Sequence, residues 1–188
     1  SYHANDGSSD SNVVTVSITV SASSNQLVTN GSFENDLTGW TSTGNMQIRN
    51  STPYVPTNGT KLLAFNTGQS APNGVISQSF PTVSGQTYQV EFDLGLLAYN
   101  TSSQRIQLAV TGAGSLLSQS ITVTGNGSGS RWFPQSFSFV ANSTTTTLSF
   151  TDTSTTSTNL DLLLDNVRVT GSTPSYTLTV ASSPASSL

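Results

Sequence analysis

Apolar and polar residues alternate with a period of two through the middle of the chain. In the clearest run, positions 88–94, apolar side chains on one side of an extended backbone alternate with polar ones on the other. The same pattern returns at Ile106/Leu108/Val110, Phe137/Phe139, Leu148/Phe150 and Val167/Val169. Helical stripes are absent, and clusters of Pro, Asn, Gly and Ser separate the runs. The pattern therefore predicts an all-β fold, an antiparallel β-sandwich of jelly-roll type.

Aromatic residues at inward strand positions are expected to supply much of the core. These residues are Phe33, Trp40, Phe80, Phe92 and Phe137. Trp132 has two interpretations, because it follows the glycine-rich segment 125–129 and stands at the beginning of a predicted strand. Its ring either packs against the sandwich or stacks on a ligand.

The ends of the chain are predicted to belong to other domains. Residues 1–22 contain one alternating strand, Val14 to Val20, whose apolar face needs a partner. This segment resembles the last strand of the cadherin-like or immunoglobulin-like repeats of bacterial adhesins. Residues 171–188 are expected to form a linker and the first strand of a further repeat. The module itself is predicted to span residues 26–170 of a piece cut from a longer protein.

Charged residues are scarce, and their distribution excludes several classes of partner. Only 7% of the residues are charged, the net charge is -4, and 34 Ser and 29 Thr stand among the 188 residues. The basic residues are scattered, at Arg49, Lys61, Arg105, Arg131 and Arg168. Without a basic stripe or a long apolar run, neither nucleic-acid binding nor membrane insertion is expected. The absence of cysteine removes disulfides and thiolate sites, and this composition indicates a bacterial protein that is extracellular or on the cell surface.

The chain offers no good catalytic constellation. Its one histidine, His3, lies in the N-terminal segment, so the module cannot assemble a Ser/His/Asp triad or a histidine metal site. Glu91 and Asp93 are the nearest candidates for a glycosidase carboxylate pair, because residues two apart project from one face of a strand. Such a pair is more often a solvated face or the lining of a groove. The protein is therefore predicted not to be an enzyme.

Five short pieces of the module carry a family resemblance: Leu27–Glu34, Gly39–Trp40, Ile76–Phe80, Gly85–Tyr88 and Leu164–Val167. In this order they resemble the galactose-binding-like jelly rolls of bacterial carbohydrate-binding modules, such as those attached to xylanases and laminarinases. The resemblance spans nearly all of residues 26–170. It implies a galactose-binding-like fold and a polysaccharide or other glycan as the ligand.

The resemblance also implies a structural calcium ion between the first and last strands. By correspondence with the family, Glu34 and Asp165 would supply carboxylates, and Ser32 and Lys61 would supply backbone carbonyls. Calcium takes six to eight oxygen ligands, which suits such a set. The alternative without a metal is that Glu34 and Asp165 cap turns.

Two functions from different classes fit these observations. The first is a carbohydrate-binding module in which the polar strand face forms a groove for sugar hydroxyls and loop aromatics stack on the sugar. The residues expected to line this groove are Tyr54, Tyr99, Trp132, Glu91, Asp93, Arg105 and Gln107. The second is a structural spacer in a stalk, adhesin or fibre, whose terminal strands pair with neighbouring domains or with further copies of the chain. The family resemblance favours the first.

Overall fold

The computed structural model describes residues 25–67, 73–155 and 158–171, which lie within one compact unit, Asn25–Ser172. The strands in this part of the chain are β1 (Thr41–Thr43), β2 (Met46–Arg49), β3 (Leu62–Phe65), β4 (Val75–Pro81), β5 (Thr87–Ala98), β6 (Ser103–Thr111), β7 (Ser115–Thr124), β8 (Gly129–Val140), β9 (Thr145–Asp152) and β10 (Leu160–Gly171). Within these described ranges, no helix is long and apolar enough to span a membrane. The predicted flanking segments 1–22 and 171–188 lie outside the described residues, apart from Gly171.

The strands form two five-stranded sheets. The front sheet has the order β2-β3-β10-β5-β8, and the back sheet has the order β1-β4-β9-β6-β7. All neighbouring strands run antiparallel. Several neighbours in a sheet are distant in sequence, because the chain crosses repeatedly from one sheet to the other. This arrangement confirms the predicted all-β antiparallel jelly-roll sandwich.

The core lies between the two sheets and is rich in aromatic rings. Buried there are Phe33, Trp40, Phe80 and Phe92, whereas Phe137 is only partly buried and packs against them. Phe92 of the front sheet meets the edge of Phe150 of the back sheet with ring centroids 4.9 Å apart. It also stacks with Phe137 at 6.3 Å. The inward apolar positions predicted from the alternation therefore form the core, and such ring pairs add about 0.5–1.5 kcal/mol each beyond simple burial.

The segment that precedes β1 is bound to the last strand. The Gln26 side chain accepts a hydrogen bond from the Val169 N–H at 2.7 Å and donates one to the Val167 carbonyl at 3.0 Å. Further along, Gly31 lies so close to β10 that a Cβ atom there would be 1.9 Å from the Val167 oxygen. Only glycine permits this approach. As a result, the residues that follow, including Glu34, are held beside β10.

Candidate functional site

An apolar patch lies on the outer face of the front sheet, away from the core. It consists of the buried side chains of Leu62, Ala64, Leu97 and Leu163. These residues come from three adjacent strands, β3, β10 and β5. Tyr54, from the loop of residues 50–61 between β2 and β3 (the β2–β3 loop), and Trp132 of β8 pack against the patch. The loop therefore covers apolar surface that the sheet would otherwise expose to water.

Two aromatic side chains fix the β2–β3 loop to the sheet. The Tyr54 hydroxyl donates a hydrogen bond to Oδ2 of Asp161 at 2.6 Å. The Trp132 indole Nε1 donates to the Val55 carbonyl at 2.9 Å. The indole lies against Gly95, where an added Cβ would be 2.5 Å from Trp132 Cε3. Gly95 therefore provides the space in which Trp132 lies flat on the sheet and reaches the loop.

Two carboxylates hold the second half of the same loop. Oδ2 of Asp165 accepts hydrogen bonds from the backbone N–H groups of Thr57 at 2.7 Å and Asn58 at 3.0 Å. Oε1 of Glu34 accepts the N–H of Lys61 at 2.8 Å. Hydrogen bonds from backbone N–H groups to a carboxylate are among the stronger ones in proteins. Asp165 thus binds the loop at residues 57 and 58, and Glu34 binds its last residue, Lys61.

The surroundings of these carboxyls shift their pKa values in opposite directions. The N–H groups of Lys61 and then Thr60 lower the pKa of Glu34, because they stabilise its charged form. Burial raises the pKa of Asp165, although hydrogen bonds, that from the Asn58 N–H first, oppose the rise. The two groups therefore respond differently to acid although they serve the same loop.

The contacts of Glu34 and Asp165 bear on the predicted calcium site. Calcium needs oxygen atoms turned toward it, but both carboxylates face N–H and O–H donors. Lys61 directs its N–H to Glu34, and its ammonium group lies 2.7 Å from Asp36. In the part of the chain that the structure describes, no three His, Asp or Glu side chains are grouped to share an ion. Both carboxylates in this arrangement are occupied by donors, and the calcium ion, with the carbonyls of Ser32 and Lys61 as further ligands, stays a prediction.

A shallow pocket of about 230 Å³ opens beside the β2–β3 loop. Its lining consists of Pro53, Tyr54, Leu97, Tyr99, Asn159, Leu160 and Asp161. Tyr99 is 59% exposed, and its backbone N–H donates to the Asn159 carbonyl at 3.1 Å. Both tyrosines that are expected to stack on a ligand thus line one pocket. Trp132 packs on the adjoining apolar patch and is not part of the lining.

Burial and a nearby cation set the electrostatics of the pocket. Burial raises the pKa of Asp161, while the Tyr54 hydrogen bond and Arg49 oppose the rise. Burial and the bond to Asp161 raise the pKa of Tyr54 to about 12, so its phenol remains protonated at neutral pH. The Arg49 guanidinium lies 5.0 Å from the centroid of the Tyr54 ring, a cation–π contact. The pocket therefore combines aromatic faces with a carboxylate that can accept hydrogen bonds.

The structure corrects the predicted polar groove. Glu91 and Asp93 lie on β5 in the front sheet, whereas Arg105 and Gln107 lie on β6 in the back sheet. The short connection after β5 crosses between the sheets instead of turning back as a hairpin, so the two pairs cannot line one groove. On the front sheet, Glu91 pairs with Arg168 at 3.6 Å. Asp93 also has a partner, because it accepts a hydrogen bond from the Asn166 side chain at 3.0 Å.

Several pocket residues are not apparent from the sequence. Asp161 is not among the residues predicted to bind a ligand, yet its carboxylate accepts a hydrogen bond from Tyr54, 107 residues away in the chain. Asn159 and Pro53 reach the pocket only because the β2–β3 loop folds over the end of β10. The one local signal is that Asp161 and Leu163 occupy alternate positions on the outer face of β10. That signal places Asp161 on the correct face without showing what it contacts.

Solved structures with a similar fold include carbohydrate-binding modules. TmCBM61, in complex with β-1,4-galactotriose, gives a TM-score of 0.57 at 15% identity, over 78% of this chain and 98% of its own. The CBM22-1 xylan-binding domain of Paenibacillus barcinonensis Xyn10C gives 0.51 at 14% identity, over 81% and 97%. The K3 adhesin domain of Lys-gingipain from Porphyromonas gingivalis gives 0.58 at 15% identity, over 79% and 99%. The chain therefore has the jelly-roll sandwich seen in carbohydrate-binding modules and in an adhesin domain.

The sequence itself defines the family. A family model described as protein of unknown function (DUF642) matches residues 18–170, and the chain belongs to that family. No curated protein sequence matches the chain. The resemblance to carbohydrate-binding modules is thus supported at the level of the fold, and the adhesin-like flanking repeats stay a prediction.

Proposed function

We propose that this chain is a non-catalytic carbohydrate-binding module and that the pocket between Tyr54 and Tyr99 is its sugar site. The observation that carries the proposal is the meeting of two tyrosine rings and the Asp161 carboxylate in one open pocket. Sugars present apolar C–H faces that pack on aromatic rings and hydroxyls that bind planar polar groups. The fold shared with carbohydrate-binding modules supports the same assignment.

The dimensions of the pocket suit a single sugar ring. At about 230 Å³ it is smaller than the roughly 300–1,000 Å³ typical of sites for drug-sized ligands. Oδ2 of Asp161 accepts the hydrogen bond from the Tyr54 hydroxyl, and Oδ1 serves as an acceptor for a sugar hydroxyl. The Asn159 side-chain amide supplies both a donor and an acceptor. One ring therefore stacks on tyrosine while two polar side chains fix its orientation.

The arrangement of carboxylates favours binding over hydrolysis. Glycosidases place two carboxyl groups on either side of the scissile bond. Among the described residues that line the pocket, Asp161 is the only one with a carboxylate. Glu91 and Asp93 are engaged with Arg168 and Asn166. The chain is accordingly proposed to bind its glycan without cleaving it, as part of a secreted or cell-surface protein whose Ser- and Thr-rich exterior suits that setting.

Calorimetric titration of the intact protein with a panel of oligosaccharides tests the proposal. β-1,4-galactotriose and xylan fragments are the first ligands, because two proteins of similar fold bind galactotriose and xylan. Tyr99→Ala should weaken binding of the best ligand at least about fivefold, since stacking on an aromatic ring contributes on the order of 1–3 kcal/mol. Val83→Ala, at a site 62% exposed in the turn before β5, is the control and should bind as the wild type does. Equal affinity of both variants, or no binding to any glycan, would overturn the proposal and favour the spacer.

A further inference from the structure

The outer face of the back sheet carries a single charge. Arg105 and Asp152 are the only charged residues in its five strands, and Asp152 is 2% exposed and turned inward. Burial alternates along β6, which places Arg105 on the solvent side. The surrounding outward positions on β6, β7 and β9 are mostly Ser and Thr. Arg105 is thus one cation on a broad face of hydroxyl groups.

A small polar pocket surrounds this arginine. It has a volume of about 160 Å³ and is lined by Ser103, Gln104, Arg105, Thr122, Thr153, Ser154 and Thr155. Five of the seven described lining residues are Ser or Thr, and Arg105 is the only charged residue among the seven. The Thr153 and Ser154 hydroxyls each donate to the Arg105 carbonyl at 3.3 Å, so their oxygens stand beside the planar cationic donor as acceptors. The cation suits an anionic oxygen group, and the hydroxyl oxygens suit sugar hydroxyls next to it.

The pocket wall is held in place by backbone contacts. The Arg105 N–H donates to the Ser154 hydroxyl oxygen at 2.9 Å, and the Thr153 N–H donates to the Arg105 carbonyl at 2.9 Å. The Ser154 N–H in turn donates to Oδ1 of the buried Asp152 at 2.8 Å. The turn after β9 is therefore fastened to a buried carboxylate beneath the sheet surface. A wall fixed in this way loses little conformational entropy when a ligand binds.

The guanidinium has no acidic partner in the described ranges. The ion pairs there join Lys61 to Asp36 and Arg168 to Glu91, and neither involves Arg105. The exposed or half-buried acidic side chains belong to the front sheet or to the segment that precedes β1. An arginine fork matches the geometry of a carboxylate or a sulfate and binds it through two parallel hydrogen bonds. The described residues supply no such anion on this face, so the guanidinium is open to one from a ligand.

We propose a second glycan-binding site at Arg105 that takes an anionic sugar substituent, either the carboxylate of a uronic acid or a sulfate ester. The guanidinium binds the anionic oxygens, and the hydroxyls of Thr122, Thr153 and Ser154 bind the adjoining sugar hydroxyls. This site lies on the opposite sheet from Tyr54 and Tyr99 and shares no residue with their pocket. A negative result at one site therefore does not contradict the proposal for the other.

Affinity electrophoresis of the intact protein in gels containing polygalacturonate, a sulfated galactan or neutral galactan tests this site. The wild type should be retarded by at least one of the acidic polymers, and the polymer that retards it identifies the anion. Arg105→Gln should weaken that interaction at least about tenfold, the size expected when a charged hydrogen bond is lost. Arg131→Gln removes an equal charge from an exposed position on β8 and should change the affinity by less than about twofold.

Two further variants separate this site from the tyrosine pocket. Arg105→Lys keeps the charge but loses the planar fork, so its affinity for the acidic polymer should lie between those of the wild type and Arg105→Gln. In a Tyr99→Ala background, Arg105→Gln should still weaken the interaction with the acidic polymer at least about tenfold, because the two sites share no residue. The proposal is overturned if neither acidic polymer retards the wild type, or if Arg105→Gln and Arg131→Gln bind equally well. It is also overturned if only Tyr99→Ala loses the interaction.

Discussion

Tyr54 and Asp161 are joined by a hydrogen bond of 2.6 Å that connects the β2–β3 loop to β10, the central strand of the front sheet. Because Asp161 is fixed on the sheet, this bond holds the Tyr54 ring in position before a ligand arrives. A ring positioned in advance loses less conformational entropy on binding. The stability of the loop and the geometry of the pocket therefore depend on the same contact.

Removing the Tyr54 hydroxyl should affect both stability and binding. Tyr54→Phe keeps the ring but leaves the partly buried Asp161 carboxylate without its donor, which we expect to cost about 1–3 kcal/mol in the free energy of unfolding. Sugar affinity should fall several-fold, because the ring loses its fixed orientation. Urea denaturation and calorimetric titration measure the two effects.

Tyr99→Phe, on a ring 59% exposed, is the control and should change stability by less than about 0.5 kcal/mol. Equal effects of the two substitutions would mean that the bond to Asp161 does not hold the loop.

Asp152 should make stability depend on pH in the direction opposite to that of a typical surface carboxylate. Burial raises its pKa above the ordinary value of 3.8, although the Asn66 side chain and the Ser154 N–H donate hydrogen bonds to it. Because the pKa of Asp152 is raised in the folded state, the stability that its protonated carboxyl contributes is fully present below pH 3.8. That stability is lost as the pH rises through the pKa of the folded state. Asp152→Asn remains neutral, so its stability relative to the wild type should improve as the pH rises from about 3 to 7.

Melting temperatures of both proteins across this pH range provide the measurement. Glu34→Gln is the comparison, because hydrogen bonds lower the pKa of Glu34 below 4.5. The stability that the Glu34 carboxylate contributes is present above that value and is lost as the pH falls through the lowered pKa. Glu34→Gln should therefore become less stable relative to the wild type as the pH rises. A difference between wild type and Asp152→Asn that stays constant with pH would contradict the account of Asp152.

Gly95 should tolerate no side chain, because its position is covered by Trp132. In Gly95→Ala the new Cβ would lie 2.5 Å from Trp132 Cε3, so the indole must shift away from the Val55 carbonyl. We expect a loss of about 1–3 kcal/mol in the free energy of unfolding and a change in tryptophan fluorescence. Gly114→Ala is the matched control, since nothing lies within 4 Å of a Cβ there. Similar stability of the two variants would show that Trp132 does not pack as described.

The donors around Glu34 and Asp165 predict that calcium has little effect on stability. Melting curves in about 1 mM calcium and in excess chelator should coincide, because N–H groups already satisfy both carboxylates. A site of about 10 μM affinity would instead add roughly 2.7 kcal/mol at that concentration. A rise of several degrees in calcium that Glu34→Gln and Asp165→Asn each abolish would establish the ion implied by the family resemblance.

The period-two pattern was sufficient to predict the sandwich and its core, because it is a local property that separates inward from outward side chains. It shows why Phe92 and Phe150 are buried, but not that they belong to opposite sheets. Sheet membership depends on where connections cross, and for that reason Arg105 and Gln107 were placed beside Glu91 and Asp93. The resemblance indicated that Glu34 and Asp165 are important, whereas their role as anchors of the β2–β3 loop became visible only in three dimensions.

The sugar site was only partly predictable for a similar reason. Tyr54 and Tyr99 were candidates because aromatic rings in loops can stack on a sugar. Asp161 and Asn159 were not, since their relation to Tyr54 arises from a loop folding over a strand far away in the chain. Contacts of this kind leave no periodic signal in the sequence.

The central claim is that the pocket between Tyr54 and Tyr99 binds a sugar, and NMR titration of isotope-labelled protein tests it most directly. With β-1,4-galactotriose, or whichever oligosaccharide binds best in calorimetry, backbone amide shifts should change at Tyr54, Tyr99, Asn159 and Asp161. Amides at the far end of the sandwich, such as Val83 in the turn before β5, should not move. Saturating shifts confined to the pocket are the predicted result, whereas saturating shifts that leave these four residues unmoved would contradict the account.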